Sequence, residues 1–217
     1  LFAGMSDEIL AEITGLARVK KYAPGEYLCH RGSEGNEFFV IQHGLVKIVL
    51  TSEDGKEIIL DLLKDGDFLG ELALIDGEPR SADAIAMEET EVIVLSRSCF
   101  HRLMRENEGI KDAVLTVLAA RLRATNESLL DNFLPLLLKV TKKIVALTEK
   151  YASFAGPEQK EFDVPLSQQE LADMVGATRE SVNRCVRVLC GQGVIEWKKQ
   201  HLKVKDIREL KGFLEKM

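Results

Sequence analysis

The sequence predicts an α+β chain: an antiparallel β-roll of the jelly-roll kind, one long helix, and a small helical domain closed by a strand pair. Three observations predict it. Between residues 24 and 95, short β-branched and aromatic runs alternate with Gly- and Asp-bearing turns, the pattern of a sandwich or barrel rather than a parallel sheet. From about 108 to 134 the apolar period becomes helical. From 167 onward, strong capping signals open further helices.

The elements follow in order. Residues 7–17 read as a short helix with Ser6 as its N-cap. The strands are Tyr27-Leu28-Cys29, Phe38-Phe39-Val40-Ile41, Val46-Lys47-Ile48-Val49-Leu50, Ile58-Ile59-Leu60 and Val92-Ile93-Val94-Leu95. In the long helix Val114, Leu118, Leu122, Thr125, Leu129 and Asn132/Phe133 recur at spacings of four and three, the seam of a helix that pairs with another. A second copy of the chain is the simplest partner; packing against the chain's own roll is the alternative. Arg121, Arg123 and Glu127 fall on other faces. Pro135 cannot continue the hydrogen-bond ladder, and a new helical run reaches Tyr151. Residues 153–164 read as a loop, a second helical region starts at Ser167, and from Val194 a hairpin and a terminal helix follow. The domains are thus 1–107 (roll), 108–135 (dimerisation helix and hinge) and 136–217 (winged helix-turn-helix).

Composition limits the function. The chain has 217 residues, 46% hydrophobic and 29% charged, with a net charge of −6, which suits two soluble domains. Residues 139–217 hold 15 Lys and Arg against 11 Asp and Glu, whereas residues 1–138 hold 14 against 24. A basic part on an acidic body fits a polyanion-binding module on a regulatory domain. No apolar run approaches the roughly 18 residues of a membrane span. Asp7 and Glu8 stand where a secretory signal would be basic. Cys29, Cys99, Cys185 and Cys190 form no CxxC pair, so they read as small buried hydrophobes in a reducing, cytoplasmic setting. No metal motif and no nucleophile–base pair appears, which speaks against an enzyme.

The segment from 168 carries the strongest signal. With Gln168 as position 1 of a helix-turn-helix frame, Leu171 and Ala172 fall at 4 and 5, Val175 at 8, Gly176 at 9, Val182 at 15 and Cys185 at 18. A small residue at 5 lets two helices approach, Gly at 9 supplies the positive-φ turn, and the apolar positions lock the pair. Ser167 with Glu170 makes a capping box, and Thr178 caps the second helix. That helix presents Arg179, Glu180, Asn183, Arg184 and Arg187. Arg forks onto guanine and a carboxylate accepts from cytosine, so the pattern reads as a major-groove reader rather than a solvated amphipathic helix. Ala177-Thr178-Arg179-Glu180-Ser181-Val182-Asn183-Arg184 resembles the recognition helix of the cAMP receptor protein (Crp/Fnr) family. The resemblance implies base contacts from Arg179, Glu180 and Arg184 to a palindromic TGTGA-like site in double-stranded DNA, with Gln169, Thr178 and Ser181 on phosphates and Arg187 on the same helix face.

A second island is Phe68-Leu69-Gly70-Glu71-Leu72-Ala73-Leu74 followed by Pro79-Arg80-Ser81-Ala82. Backbone amides at a short helix start suit a phosphate, Arg80 binds it bidentately, and Glu71 can accept a ribose hydroxyl's proton. A Glu71–Arg80 ion pair in a turn would leave the same residues. The segment is similar to the phosphate-binding cassette of cyclic-nucleotide-binding domains. By that resemblance Glu71 takes the 2′-hydroxyl, Arg80 and Ser81 the cyclic phosphate, and Gly70, Leu72 and Ala82 complete the cassette. Thr125 and Asn126 match the adenine-contacting pair of the long helix, where relatives often carry Thr-Ser. The effector implied is cAMP, with cGMP less favoured, and no metal.

The resemblance spans residues 1–206. It implies a homodimer, and it places residues 153–161 where activators of the family touch RNA polymerase. One departure is the hinge, where relatives commonly carry an Asp and this chain has Phe133-Leu134-Pro135-Leu136. The rival reading is the same architecture sensing a haem-bound gas through Cys29, His30, His43 or His101. The retained Glu71 and Arg80 favour the cyclic nucleotide.

Overall fold

The structure, a computed structural model, describes residues 17–152, 162–198 and 201–215. The helix expected over 7–17, Ala17 apart, and the loop over 153–161 lie outside these residues. The chain forms two compact units, Leu1–Ala124 and Thr125–Met217.

The first unit is a sandwich of two antiparallel four-stranded sheets. One runs in the order β1 (Arg18–Tyr22), β8 (Thr90–Ser96), β3 (Glu37–His43), β6 (Phe68–Leu69); the other runs β2 (Tyr27–Cys29), β7 (Asp83–Ala86), β4 (Leu45–Thr51), β5 (Glu57–Lys64). The run Phe38-Phe39-Val40-Ile41 is uninterrupted because β3 is covered on both faces. Phe39 and Ile41 point between the sheets with Leu28, Val46, Leu63, Ala84, Val92 and Val94. Phe38 and Val40 point outward, against Leu74 of α1 (Glu71–Ile75), Phe100 and Leu103 of α2 (Arg97–Glu106), and Ile110 and Val114 of α3 (Glu108–Asp131). Truncating an aromatic such as Phe38 in such a core costs about 3–5 kcal/mol.

Several elements correct the sequence reading. β1, RVKKY, is a sheet edge exposed along all but Tyr22, so it lacks the alternation that signals a half-buried strand and has the lysines that guard an edge. β6 and β7 are too short to show a period. α2 has no counterpart among the expected elements; Ser96 caps it by accepting from the Cys99 N–H. The expected seam of α3 also divides. Val114 is fully buried in the chain's own roll, with Val117 and Leu118 packed beside it. The apolar residues left exposed are Leu115, Leu122 and Leu129, seven apart, with Leu130 and Phe133, the last 88% exposed.

The second unit takes up the end of α3 and continues through α4 (Leu136–Ala152). The helix does break at Pro135, and two lysines of α4 secure the join: Lys139 donates to Asn132 Oδ1 at 2.7 Å, and Lys142 donates to Asp131. α5 (Gln168–Val175) and α6 (Arg179–Gly191) form the helix pair, and α7 (Ile207–Glu215) packs on α4. A sheet in the order β10 (Ile195–Lys198), β11 (His201–Val204), β9 (Phe162–Pro165) completes the winged fold. β9 occupies the end of the segment read as loop, because Phe162 and Val164 alternate with Asp163 and pair with β11. No helix among the described residues is long and apolar enough to cross a membrane.

A candidate ligand cassette and a candidate DNA-reading helix

The cassette is built where β6 ends. Gly70 adopts φ +90°, and a Cβ there would stand 2.3 Å from Arg80 Nη1 and 2.9 Å from the Glu37 carbonyl. A side chain is excluded twice, by conformation and by space. α1 starts at the next residue and buries Glu71, Ala73 and Leu74. Arg80 arrives from the loop before β7, whose backbone is tied to residues 32–33 through the Arg80 N–H to Ser33 O and the Gly32 N–H to Arg80 O.

Arg80 is only 6% exposed. Its Nη1 donates to Gly70 O at 3.0 Å and its Nη2 to Glu37 O at 2.5 Å, and the guanidinium lies 5.3 Å from the Phe39 ring. Its Nε has no partner, and no carboxylate among the described residues pairs with it. Carbonyl oxygens thus stand where a buried guanidinium ordinarily meets a carboxylate. Arg80 also borders a cavity of about 390 Å³ whose wall includes Cys29, His30, Glu37 and Phe39. The Cys29 thiol is pushed up from its usual range by burial, against the opposing pull of Arg80.

Glu71, 2% exposed, pairs not with Arg80 but with Arg121 of α3, whose Nη1 lies 2.7 Å from Oε1. Arg121 Nη2 donates to Phe68 O at 2.6 Å, and its guanidinium sits 5.1 Å from the Phe68 ring. Glu71 Oε2 has no partner among the described residues. Sequence reasoning sets Arg121 aside as lying on another face of the helix. Its spacing, one turn before Thr125, is the signal that points to it. Arg97, also missed, braces the cassette by donating to Gly35 O at 2.8 Å and Ala73 O at 3.1 Å. Of the other cassette residues, Gly70 and Ala82 are half-buried, while Leu72 and Ser81 are exposed. Thr125 and Asn126 are exposed on α3 in the second unit. The histidines considered for haem lie apart: His30 stacks on Tyr27 at 4.2 Å, His43 meets Asp65 at 3.3 Å, and His101 is on α2.

In the second unit the helix pair forms as its caps require. The Ser167 hydroxyl accepts from the Glu170 N–H and the Glu170 carboxylate from the Ser167 N–H; Gly176 closes α5 at φ +63°; the Thr178 hydroxyl accepts from the Ser181 N–H. Leu171, Ala172, Val175, Val182 and Cys185 are buried between the helices. Arg179, Glu180, Arg184 and Arg187 are left exposed on α6. Arg184 Nη2 donates to Ser181 Oγ at 3.1 Å, and Gln169 donates to Asp173 at 2.8 Å. Sequence reasoning does not reveal that the Asn183 amide donates to Gln168 Oε1 at 2.6 Å, tying the two helices.

A roll with a buried arginine that pairs with no carboxylate among the described residues forms one unit, and a capped helix-turn-helix with exposed arginines forms the other; together they define a DNA-binding regulator that carries a second, β-roll domain. The sequence matches the cyclic nucleotide-binding domain over residues 19–107 and the Crp-like helix-turn-helix domain over residues 137–213. It is 30% identical over 179 residues to the cAMP-activated global transcriptional regulator CRP of Pasteurella multocida, covering 82% of this chain and 85% of that protein. It is 28% identical to the CRP-like cAMP-activated global transcriptional regulator of Mycobacterium tuberculosis, over 97% of this chain and 94% of the relative. The FixK2 structure from Bradyrhizobium japonicum shares the fold, with a TM-score of 0.78 at 20% identity over 90% of this chain and 96% of that one. The chain belongs to the Crp/Fnr family: it is a DNA-binding transcription regulator with a cyclic-nucleotide-binding domain, and not an enzyme.

Proposed function

We propose that the chain is a cytoplasmic homodimer that binds cAMP in preference to cGMP and, when occupied, reads a palindromic TGTGA-like DNA site. One observation carries the effector reading: Arg80 is a buried guanidinium with two carbonyl partners, an unpartnered Nε and no carboxylate among the described residues. A cyclic phosphate supplies the missing negative charge, shared with Ser81 and with backbone groups of Gly70, Leu72 and Ala82. Glu71 supports the same reading. Arg121 occupies one carboxylate oxygen, and Oε2 remains available for a ribose hydroxyl. Thr125 and Asn126 take the adenine, one from each subunit.

The coupling starts at Arg121. A ligand that engages Glu71 alters the partner of a helix residue one turn from Thr125, so α3 feels occupancy directly. A ligand shifts the regulator only through its preference for the DNA-competent state. In the dimer, Leu115, Leu122 and Leu129 form the seam at heptad spacing. On DNA, Arg179 and Arg184 take guanines and Glu180 a cytosine, while Gln169, Thr178 and Ser181 hold phosphates and Arg187 supports them. Residues 153–161 are the segment assigned to RNA polymerase.

Calorimetry with cAMP and with cGMP tests the effector, with haem absorbance read on the same sample. Arg80→Leu abolishes binding if the assignment holds. Unchanged cAMP affinity in that variant, or a haem spectrum without nucleotide binding, refutes it.

A further inference from the structure

The cassette has two arms joined by an exposed turn. Gly70–Ala73 end β6 and open α1, and Arg80–Ala82 follow after residues 76–79, all of them exposed. A site assembled from two arms needs a third element to fix their spacing. The segment 32–37, which leads from β2 into β3, touches both. Backbone bonds tie it to the second arm: the Gly32 N–H donates to Arg80 O at 2.8 Å and the Arg80 N–H to Ser33 O at 2.9 Å. Against the first arm it lies as close as two backbones can. A Cβ on the buried Gly35 would stand 2.2 Å from Ala73 Cβ and 3.5 Å from Arg80 Nε. Ala73 Cβ is fixed to the α1 backbone and cannot swing aside.

Arg97 closes this junction. It is the first residue of α2, and it stands beside the segment because Ser96 pairs with Glu37 at the end of the β8–β3 ladder. Its N–H donates to Asn36 O at 2.9 Å and its Nε to Asn36 Oδ1 at 3.3 Å. Its Nη2 donates to Gly35 O at 2.8 Å and also to Ala73 O at 3.1 Å. One guanidinium thus bonds the segment and α1 together. α1 spans only Glu71–Ile75, so its carbonyls need donors from outside the helix. Arg97 itself is none of the residues assigned to the nucleotide.

We propose that Arg97 is a positioning residue of the effector site: it clamps the segment 32–37 onto α1, and the segment fixes where Arg80 stands relative to α1. The proposal deepens the cyclic-nucleotide reading above and rests on it. The Arg80 guanidinium bonds one carbonyl from each side, Gly70 O of the first arm and Glu37 O of the clamped segment. A shift of the segment therefore moves Arg80 against Gly70 and Glu71, and bidentate binding of a phosphate tolerates little such movement. Three acceptors, Gly35 O, Ala73 O and Asn36 Oδ1, surround the one group, which calls for a planar fork of donors rather than an ammonium.

The test is calorimetry on the full chain with cAMP and with its two phosphorothioate diastereomers, in which sulfur replaces one exocyclic oxygen or the other. Arg97→Met should weaken cAMP about tenfold, the lower end of what losing a residue that orients metal ligands costs, and should narrow the affinity ratio of the diastereomers. Unchanged cAMP affinity overturns the proposal. A loss that reflects only unfolding weakens both diastereomers alike, so a loss at constant ratio overturns it too. Arg97→Lys should recover little, and full recovery makes the charge rather than the fork responsible and overturns the proposal. Gly35→Ala should act like Arg97→Met, and adding Ala73→Gly, which removes the colliding Cβ, should restore most of the affinity; a double variant no better than Gly35→Ala counts against the clamp. Amide hydrogen exchange without ligand separates the clamp from the effector reading, since Arg97→Met should speed exchange at Gly32 and Arg80. A wild type that binds neither cAMP nor cGMP, while this variant still loosens those amides, refutes the effector reading and upholds the clamp. Unchanged exchange overturns the clamp.

Discussion

Arg121→Met should destabilise the first unit by about 3 kcal/mol, the lower end of the roughly 3–5 kcal/mol typical of breaking a buried ion pair from one side. The Glu71 carboxylate is 2% exposed and has Arg121 as its one bonded partner among the described residues, since Oε2 has none. Removing the guanidinium leaves that charge buried and uncompensated, and deprives Phe68 O of its 2.6 Å donor. The effect falls at the lower end because the Arg121 side chain is 28% exposed and water screens part of the pair. Met keeps the packing of the aliphatic stem, so the loss reports the charge rather than a cavity. Glu71→Gln removes the charge that needs compensation and leaves Arg121 its Phe68 carbonyl, so about 1 kcal/mol is expected. The two losses should not add. The double variant should lose about 2 kcal/mol, a coupling of about 2 kcal/mol. Urea unfolding followed by far-UV circular dichroism measures the loss. The lone Trp197, which lies in the second unit, reports that unit separately by fluorescence and should not shift. A loss below about 1 kcal/mol for Arg121→Met, or singles that simply add, refutes the reasoning that Glu71 depends on this helix residue.

Three further outcomes are expected. Leu122→Glu with Leu129→Glu should give monomers by light scattering, because both place charge on the exposed heptad stripe of α3; a dimer that survives puts the interface elsewhere. In a binding-site selection at one fixed salt concentration, Arg179→Ala should relax one symmetric position of the motif, at a loss of roughly 1–3 kcal/mol there, whereas Gln169→Ala should weaken all sequences evenly; an unchanged motif for Arg179→Ala makes that residue a phosphate clamp. The Cys29 thiol, pushed up by burial, should react slowly with a maleimide at neutral pH and faster only above the ordinary thiol range; fast reaction at pH 7 contradicts the burial.

Features governed by short-range physics are legible in the order of residues. The capping box at Ser167 and Glu170, the positive-φ Gly176 and the Thr178 cap act within four residues, and they place both ends of α5 and the start of α6 to within a residue. Short β-branched and aromatic runs set between Gly- and Asp-bearing turns likewise locate five strands, and the helical apolar period locates the long helix, because turn chemistry and the burial of a helix face act over a few residues. Packing settles what depends on which faces meet. In the bare chain Arg121 is one more charge on a helix surface; only the seating of α3 on the outer face of the roll brings it to Glu71, fifty residues earlier. The same packing divides the seam, burying Val114 and leaving Leu122 and Leu129 outside. Edge strand β1 exists as a strand only because β8 supplies its ladder. The Asn183–Gln168 bond and the bonds of Arg97 to Gly35 and Ala73 are likewise invisible in the chain's order. Polar and charged side chains carry no periodic signature of their partners, so their roles are fixed by distances that only the folded chain sets.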